Sequence, residues 1–242
     1  MPISIIEFET IDSTNTYGLK HFDELEDKTV ITALEQTKGR GRFDRVWFSG
    51  RFENIYMSFI LKPSKLTRIA NLTQYLCAAA AKVIETYGVS TQIKYPNDVL
   101  VDGKKICGIL CESKLKTNAI QGVVLGIGVN LNTPQEVIDS IDRPATSLNL
   151  ATGKHIDRYL FLNKLVEEFF SNYEKAIHEG FSAFEEDYLK RTEFLGKKIF
   201  IQQRDNSQKD ECTALRLDKN GNLIVKTLSG KEKTILSGDL IL

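Results

Sequence analysis

The sequence predicts an α+β protein with a small all-β unit at its C-terminal end. Helical periods at residues 65–87 and 157–178 sit among strand-like stretches at 3–8, 29–34, 54–61 and 119–132. From about residue 192 the character changes to short strands separated by RDNSQKD, DKNG and SGK, the pattern of a small barrel. With 242 residues, 42% hydrophobic and 26% charged, the chain can bury one sizeable core and a small second one, which excludes disordered and fibrous classes. The domain boundary is placed between residues 191 and 192.

Residues 3–8 alternate as a strand, and Asp12-Ser13-Thr14-Asn15 then offers four short polar side chains able to cap a helix over 15–25. A helix start also points free N–H groups and hydroxyls at a small polar ligand, so a cap and a binding role are both open here. Leu66, Ile69, Leu72, Leu76, Val83 and Ile84 keep a helical period that Gly88 closes, and the alanine run in it suits close packing on a sheet. Asp102-Gly103 between apolar runs signals a hairpin, with Lys104 and Lys105 starting the returning strand and Asn97 and Asp98 at its entry. The glycines 122, 126 and 128 in the run 119–132 either mark bulges or let a ligand lie against the backbone. Residues 133–157 are rich in turn formers and read as a surface connection. Asp157 caps the helix that runs to His178, and residues 181–189 make a shorter one.

The stretch from Gln36 to Trp47, QTKGRGRFDRVW, gathers Lys38, Arg40, Arg42 and Arg45 with two glycines ahead of the chain's only tryptophan. Glycines let backbone N–H groups approach an anion, and guanidinium forks match phosphate oxygens. An exposed basic loop without a ligand has the same composition. Lys+Arg and Asp+Glu are both 32, so no overall field draws nucleic acid or an anionic membrane, and a basic site is local. The N-terminus lacks the features of a signal peptide and no long uninterrupted apolar stretch follows, which points to the cytoplasm. Cys77, Cys107, Cys111 and Cys212 form no CxxC pair and make a poor zinc site; Cys107 and Cys111 read as small buried apolar side chains.

Taken together, DSTN at 12–15, QTKGRGRFDRVW at 36–47, KYPNDVLVDGKKICGILCES at 94–113, GIGVNLN at 126–132 and the C-terminal strands resemble the biotin protein ligases, in the short form without an N-terminal DNA-binding domain. The resemblance implies a mixed β-sheet with packed helices, related to class II aminoacyl-tRNA synthetases, plus an SH3-like C-terminal barrel. It assigns Ser13, Thr14 and Gln36 to the ureido ring of biotin, adds Asn15 to the biotin-binding residues, and gives Gly39 and Arg40 to a loop folding over biotin and its adenylate. Gly108, Ile109 and Leu110 become the biotin wall. Arg42 and Arg45 fall at the phosphates, Trp47 against adenine, Lys94, Asn97 and Asp98 on the ATP and metal side, and Asn130 beside adenine. Lys105 matches the lysine that touches both the biotin carboxylate and the α-phosphate, so Lys105 and Arg40 are the candidates for catalysis. The metal ligands stay unknown; Mg²⁺ is expected mainly on the ATP phosphates, with Asp98 available.

This family's chemistry explains the residue types. Joining a carboxylate to AMP brings two anions together, which calls for cations and Mg²⁺ in a site closed to water. A buried ureido ring needs satisfied donors and acceptors, which hydroxyls and amides supply. The implied partner is a biotin carboxyl carrier domain; DNA and membrane are not expected, and an exposed sheet edge could support a homodimer. A lipoate–protein ligase is the nearest alternative, against which Ser13, Thr14 and Gln36 argue, and a nucleic-acid binding module is the alternative from another class. Three departures from the family pattern stand out: Tyr95 where tryptophan is usual, Cys107 where a smaller residue is common, and Phe43-Asp44 where Arg-Gly is more typical.

Overall fold

The computed structural model describes residues 3–63, 66–117, 119–202, 209–235 and 238–241. The turn expected over 204–208 and the strand end expected at residue 236 lie outside these. The described chain is α+β, with one mixed and one antiparallel sheet.

Seven strands build the first sheet: β1 (Ile5–Ile11), β2 (Val30–Gln36), β3 (Ile55–Leu61), β4 (Gln92–Lys94), β5 (Asp98–Val101), β6 (Lys104–Lys116) and β7 (Ala119–Val129). Their order is β1-β2-β3-β7-β6-β5-β4, with β1 and β2 parallel and the other pairs antiparallel. Asp102 and Gly103, at φ 50° and 72°, turn β5 into β6 with both central residues left-handed, as an Asp-Gly hairpin requires.

One face of the sheet packs the large core. Ile55, Met57, Phe59 and Leu61 of β3 and Val123, Leu125, Ile127 and Val129 of β7 share it with helix α2 (Leu72–Glu85). Behind α2 lie α5 (Arg158–Ser171), α6 (Tyr173–Glu179) and α7 (Glu185–Leu189). The opposite face carries α1 (Thr14–Lys20), with Phe22, Ile31, Ile60 and Val124 in a smaller cluster that Tyr17 and Leu19 join. Two short helices, α3 (Gln135–Ile138) and α4 (Leu148–Thr152), follow β7. Arg158, 3% exposed, ties the start of α5 to the sheet by donating to Glu7, Thr32, Ala33 and Asn54.

The second sheet comprises β8 (Lys198–Gln202), β9 (Lys209–Leu217), β10 (Leu223–Thr227), β11 (Glu232–Ile235) and β12 (Asp239–Ile241), antiparallel in the order β11-β10-β9-β8-β12. Ile199, Ile201, Ala214, Leu223, Val225 and Leu240 close around Tyr95, which the first sheet lends to this core. The tyrosine standing in a tryptophan's place therefore belongs to the junction of the two sheets, where its hydroxyl donates to the Ile235 carbonyl.

Three expectations change. The helix expected over 15–25 ends at Lys20, because Phe22 turns into the cluster beneath α1. The helix expected to His178 breaks at Asn172 (φ −125°, ψ 13°), which lets Tyr173, Ala176 and Ile177 of α6 face the core. Residues 133–157 are more than a surface connection: Thr133, Ser147 and Leu148 are buried, and the backbone around Ala145 pairs with Lys105.

Candidate active site

A cavity of about 440 Å³ opens on the α1 face of the first sheet. Its floor exists because β6 and β7 carry glycine where they cross: Gly108 pairs with Gly128, and Gly126 faces Leu110 and, on the other side, Ser58. A Cβ on Gly126 would lie 2.1 Å from Asn15 Oδ1, and one on Gly128 would lie 2.4 Å from the Trp47 indole nitrogen. The bare floor is therefore what admits these two side chains.

At one end the groups are neutral hydrogen-bonding side chains. Ser13 caps α1, accepting from the Thr16 N–H, and Ser13, Thr14 and Asn15 are all buried. The Thr14 backbone N–H and hydroxyl donate to Gln36 Oε1 at 2.9 and 3.2 Å. Gln36, the last residue of β2, turns its Nε2 to Ser49, 3.0 Å away. Ser58, wholly buried in the middle of β3, lies 2.7 Å from the Thr14 hydroxyl and 2.6 Å from Asn15 Oδ1. One helix start thus both caps α1 through Ser13 and lines the cavity with Ser13, Thr14 and Asn15.

At the other end the groups are cations. The loop after β2 folds back on itself: Trp47 N–H donates to Gly39, Gly41 N–H donates to Arg45, and Arg40 bridges Val46. Phe43 sits at φ 58° at its tip, and the guanidiniums of Arg42 and Arg45 lie 4.8 and 5.5 Å from the centre of its ring. Such an approach of cation to ring face is attractive, so the residue that departs from the family pattern serves as a post for both arginines. Arg42 also donates to Asn97 Oδ1 at 2.8 Å and to the Gly238 carbonyl of the second sheet at 3.2 Å. Arg40 is ion-paired with Glu112 at 2.6 Å.

Lys105 stands between these ends. Its Nζ is 2.6 Å from Asp98 Oδ1 and 5.2 Å from the centre of the Trp47 ring. Its backbone is clamped by Pro144 and Thr146, which fixes the ammonium's origin beside the cavity. The Trp47 indole N–H, over Gly128, is buried with no hydrogen-bond partner among the described residues.

Most of the residues singled out from sequence come together here: Ser13, Thr14, Asn15, Gln36, Arg40, Arg42, Arg45, Trp47, Asn97, Asp98, Lys105, Gly108, Ile109, Leu110 and Asn130 all line the cavity. Gly39 and Lys94 do not. Gly39 acts one step back, since a Cβ there would meet Ser49 Oγ at 2.3 Å and the Trp47 carbonyl at 2.4 Å. Sequence reasoning missed Arg143, Pro144 and Ala145, which return from the 133–157 segment to form a wall, and it missed Ser49, Ser58 and Glu112 as partners. Among the described residues no group of three or more His, Cys, Asp or Glu is arranged to hold a metal. Burial pushes the thiols of Cys77, Cys107 and Cys111 up, Cys111 to about 12, which keeps them protonated and suits their reading as small apolar side chains.

Residues 7–130 match the family model described as Biotin/lipoate A/B protein ligase family. The chain belongs to this family. The matched span contains every cavity residue from Ser13 to Asn130, whereas the wall at 141–145 lies beyond it. Relatives include the bifunctional ligase/repressor BirA of Bacillus subtilis, 35% identical over 215 residues, a match covering 88% of this chain and 65% of that protein. The chain thus spans about two thirds of that relative's length. The biotin–[acetyl-CoA-carboxylase] ligase of Paracoccus denitrificans is 30% identical, with 91% of this chain and 93% of that protein covered. Among solved structures, the biotin protein ligase from Aquifex aeolicus in complex with biotin and ATP superposes with a TM-score of 0.83 at 29% identity, covering 98% of this chain and 97% of that one. This family's fold, a mixed sheet with packed helices and a second antiparallel sheet, is the one described above.

Proposed function

We propose that the protein activates biotin with ATP to biotinyl-5'-AMP and transfers the biotinyl group to a lysine of a biotin carboxyl carrier domain. The observation that carries this reading is one cavity with a neutral hydrogen-bonding end and a cationic end, joined across Lys105. The neutral end is suited to the ureido ring and the cationic end to the triphosphate. The ligases of Paracoccus denitrificans and Aquifex aeolicus lend support by their names and by the biotin and ATP bound in the latter.

In the first step a biotin carboxylate oxygen attacks the α-phosphorus, a new O–P bond forms, and the bond to the β-phosphate oxygen breaks to release pyrophosphate. Lys105 meets the carboxylate and the α-phosphate, and its ammonium offsets the charge that gathers as the two anions approach. Ser13, Thr14, Asn15 and Gln36 hold the ring, with Gly108, Ile109 and Leu110 as the wall, so that the carboxylate points toward Lys105. Arg40, with Gly39 behind it, closes the loop over the adenylate. Arg42 and Arg45 take phosphate oxygens, Trp47 and Asn130 take adenine, and Lys94, Asn97 and Asp98 serve the ATP side. Of the two aspartates lining the cavity, Asp98 and Asp142, Asp98 beside Lys105 is the one that would meet a Mg²⁺ carried on the phosphates, an arrangement usual for this ion, and the ion would neutralise phosphate charge. In the second step the acceptor amine attacks the acyl carbon, AMP leaves, and the amine loses a proton.

The same reading extends to organisation. The 1–191 part is taken as a class II aminoacyl-tRNA synthetase-like catalytic domain and 192–242 as an SH3-like domain, in keeping with the two sheets and their separate cores. The protein is placed in the cytoplasm, without DNA as a partner, and the outer edge of β1 offers a surface for a homodimer. No helix among the described residues is long and apolar enough to cross a membrane.

ATP–pyrophosphate exchange by the purified protein with Mg²⁺ tests the proposal. Exchange is expected with biotin and not with lipoate. No exchange with biotin overturns the reading, and exchange with lipoate alone moves the chain to the lipoate side of its family.

A further inference from the structure

The hydrogen bonds around the cavity close into a circuit at one carboxylate oxygen. Glu112 Oε2 takes Arg40 Nη2 at 2.6 Å and Asn15 Nδ2 at 2.9 Å. A carboxylate only accepts, so the Asn15 amide nitrogen must face Glu112 and its oxygen must face Ser58. Ser58 has a single proton and gives it to Asn15 Oδ1, 2.6 Å away. Thr14 is then left to give its own proton to Ser58 or to Gln36. Gln36 turns its nitrogen to Ser49, the Ser49 hydroxyl donates to the Trp47 carbonyl at 2.9 Å, and the Trp47 N–H returns to Gly39, the neighbour of Arg40. Arg40 leads back to Glu112. The circuit therefore holds both ends of the 39–47 loop and sets the direction of the Asn15 amide and the Ser58 hydroxyl, while the Thr14 hydroxyl keeps a choice of two acceptors.

Sterics reinforce this. Asn15 lies directly on the backbone of Gly126, so its amide cannot swing away from Glu112 without leaving the floor. The Glu112 side chain is 24% exposed and sits on the same face as Gly108 and Leu110, two residues further along β6 at each step.

We propose that Glu112 is a positioning residue of this site. Its charge fixes the direction of the Asn15 amide, and through it of the Ser58 hydroxyl, at the end of the cavity that takes the ureido ring, and it anchors Arg40 so that the loop lies over the cavity. The inference rests on the biotin reading above, because the ureido ring is the ligand for which the circuit is oriented.

Glu112→Gln keeps the shape and one acceptor oxygen but removes the charge, so the hydrogen bonds from Arg40 and Asn15 to that oxygen lose their charge assistance. In biotin-dependent exchange, KM for biotin is expected to rise about tenfold, the cost of weakening charge-assisted hydrogen bonds to neutral ones, and to rise by more than kcat falls. Release of radiolabelled biotinyl-AMP from the preloaded protein is expected to speed up. Two double-mutant cycles separate positioning from mere stability: Asn15→Ala with Glu112→Gln should be non-additive on biotin KM, and Arg40→Ala with Glu112→Gln non-additive on adenylate release. Unchanged biotin KM in Glu112→Gln, or additive cycles, overturns the proposal. Should Glu112→Gln fail to fold by circular dichroism, Glu112→Asp carries the test, with a smaller rise in biotin KM expected and an unchanged KM as the refuting result. Wild-type protein without exchange would instead refute the biotin reading, so the two failures are distinct.

Discussion

The two ends of the cavity are prepared for their ligands in opposite ways. At the neutral end the side chains are already bonded to one another, from Asn15 through Ser58 and Thr14 to Gln36 and Ser49. At the cationic end each charge rests on a stand-in: Lys105 on Asp98, Arg40 on Glu112, Arg42 on Asn97 and the Gly238 carbonyl. A buried neutral group left without a partner costs about 1–3 kcal/mol, so the neutral end must be fully connected and correctly directed before its ligand arrives. A cation on the rim stays solvated or paired at little cost, and an incoming phosphate can replace its partner. On the proposed reaction the neutral end serves orientation and the cationic end the charge that develops, and the two should then fail in different kinetic constants.

The sharpest break in that comparison is Lys105→Ala. Removal of a contact made chiefly in the transition state lowers kcat/KM for adenylate formation by at least about a hundredfold, with the loss in kcat. The fold should persist, since the Lys105 side chain is partly exposed to the cavity beside Asp98 and the Trp47 ring while its backbone makes the bonds to Pro144 and Thr146. Stopped-flow or exchange kinetics would show it. A loss confined to biotin KM would mean that Lys105 belongs with the orienting end.

A smaller effect on the other side is expected from Gly126→Ala. Its Cβ would overlap Asn15 Oδ1, which is pinned by Ser58 and Glu112 and cannot give way cheaply. Biotin KM should rise about tenfold, of the order of one lost buried hydrogen bond, with kcat less affected. Gly41→Ala is the control within the cationic end: its nearest neighbours lie 3.6 Å and further from the new Cβ, so both constants should hold within about twofold. Equal losses in the two variants, read by titrating biotin in the exchange assay, would erase the distinction between a rigid and a replaceable end.

Much of this arrangement was legible in the residues. The Ser13 cap, the Asp102-Gly103 turn and the alternation that puts Gly126 and Gly128 on one face are local features, set within a few residues of chain. Resemblance then joined these pieces into one site. What stayed hidden depends on distant pairing. Nothing in TPQEVIDSIDRPATS announces that residues 143–145 return to Lys105, some forty residues earlier in the chain, and a serine in the middle of a β-strand does not say whether its hydroxyl serves the core or a ligand. Glu112 did carry a signal. Counting by two from Gly108 places it on the cavity face, across from a loop in which Lys38, Arg40, Arg42 and Arg45 outnumber the single acid Asp44. Phe43 shows the reverse case, since a departure from the family pattern that was plain in the sequence gives Arg42 and Arg45 a common surface that was not.

The mildest test of the comparison uses salt in place of mutation. At about 1 M ionic strength the screening length falls to about 3 Å, so attraction between solvent-facing cations and an approaching triphosphate is largely lost. Hydrogen bonds among the buried neutral groups are scarcely touched, because Ser13, Thr14, Asn15 and Ser58 are withdrawn from solvent. KM for ATP should therefore rise several-fold on going from low to high salt, whereas KM for biotin, measured at saturating ATP, should change less. The sign follows from opposite charges losing attraction; like charges would give the reverse. Biotin carries one carboxylate against the several charges of ATP, so its share of the salt effect is the smaller one, and that share should vanish with biotinamide, which keeps the ring and lacks the charge. If biotinamide competes with biotin equally well at low and high salt while ATP binding weakens, the two ends are separable by charge alone. If its inhibition constant tracks the KM for ATP, the neutral end is held in place by the cationic loop, and the circuit through Glu112 and Arg40 is the structural route for that dependence.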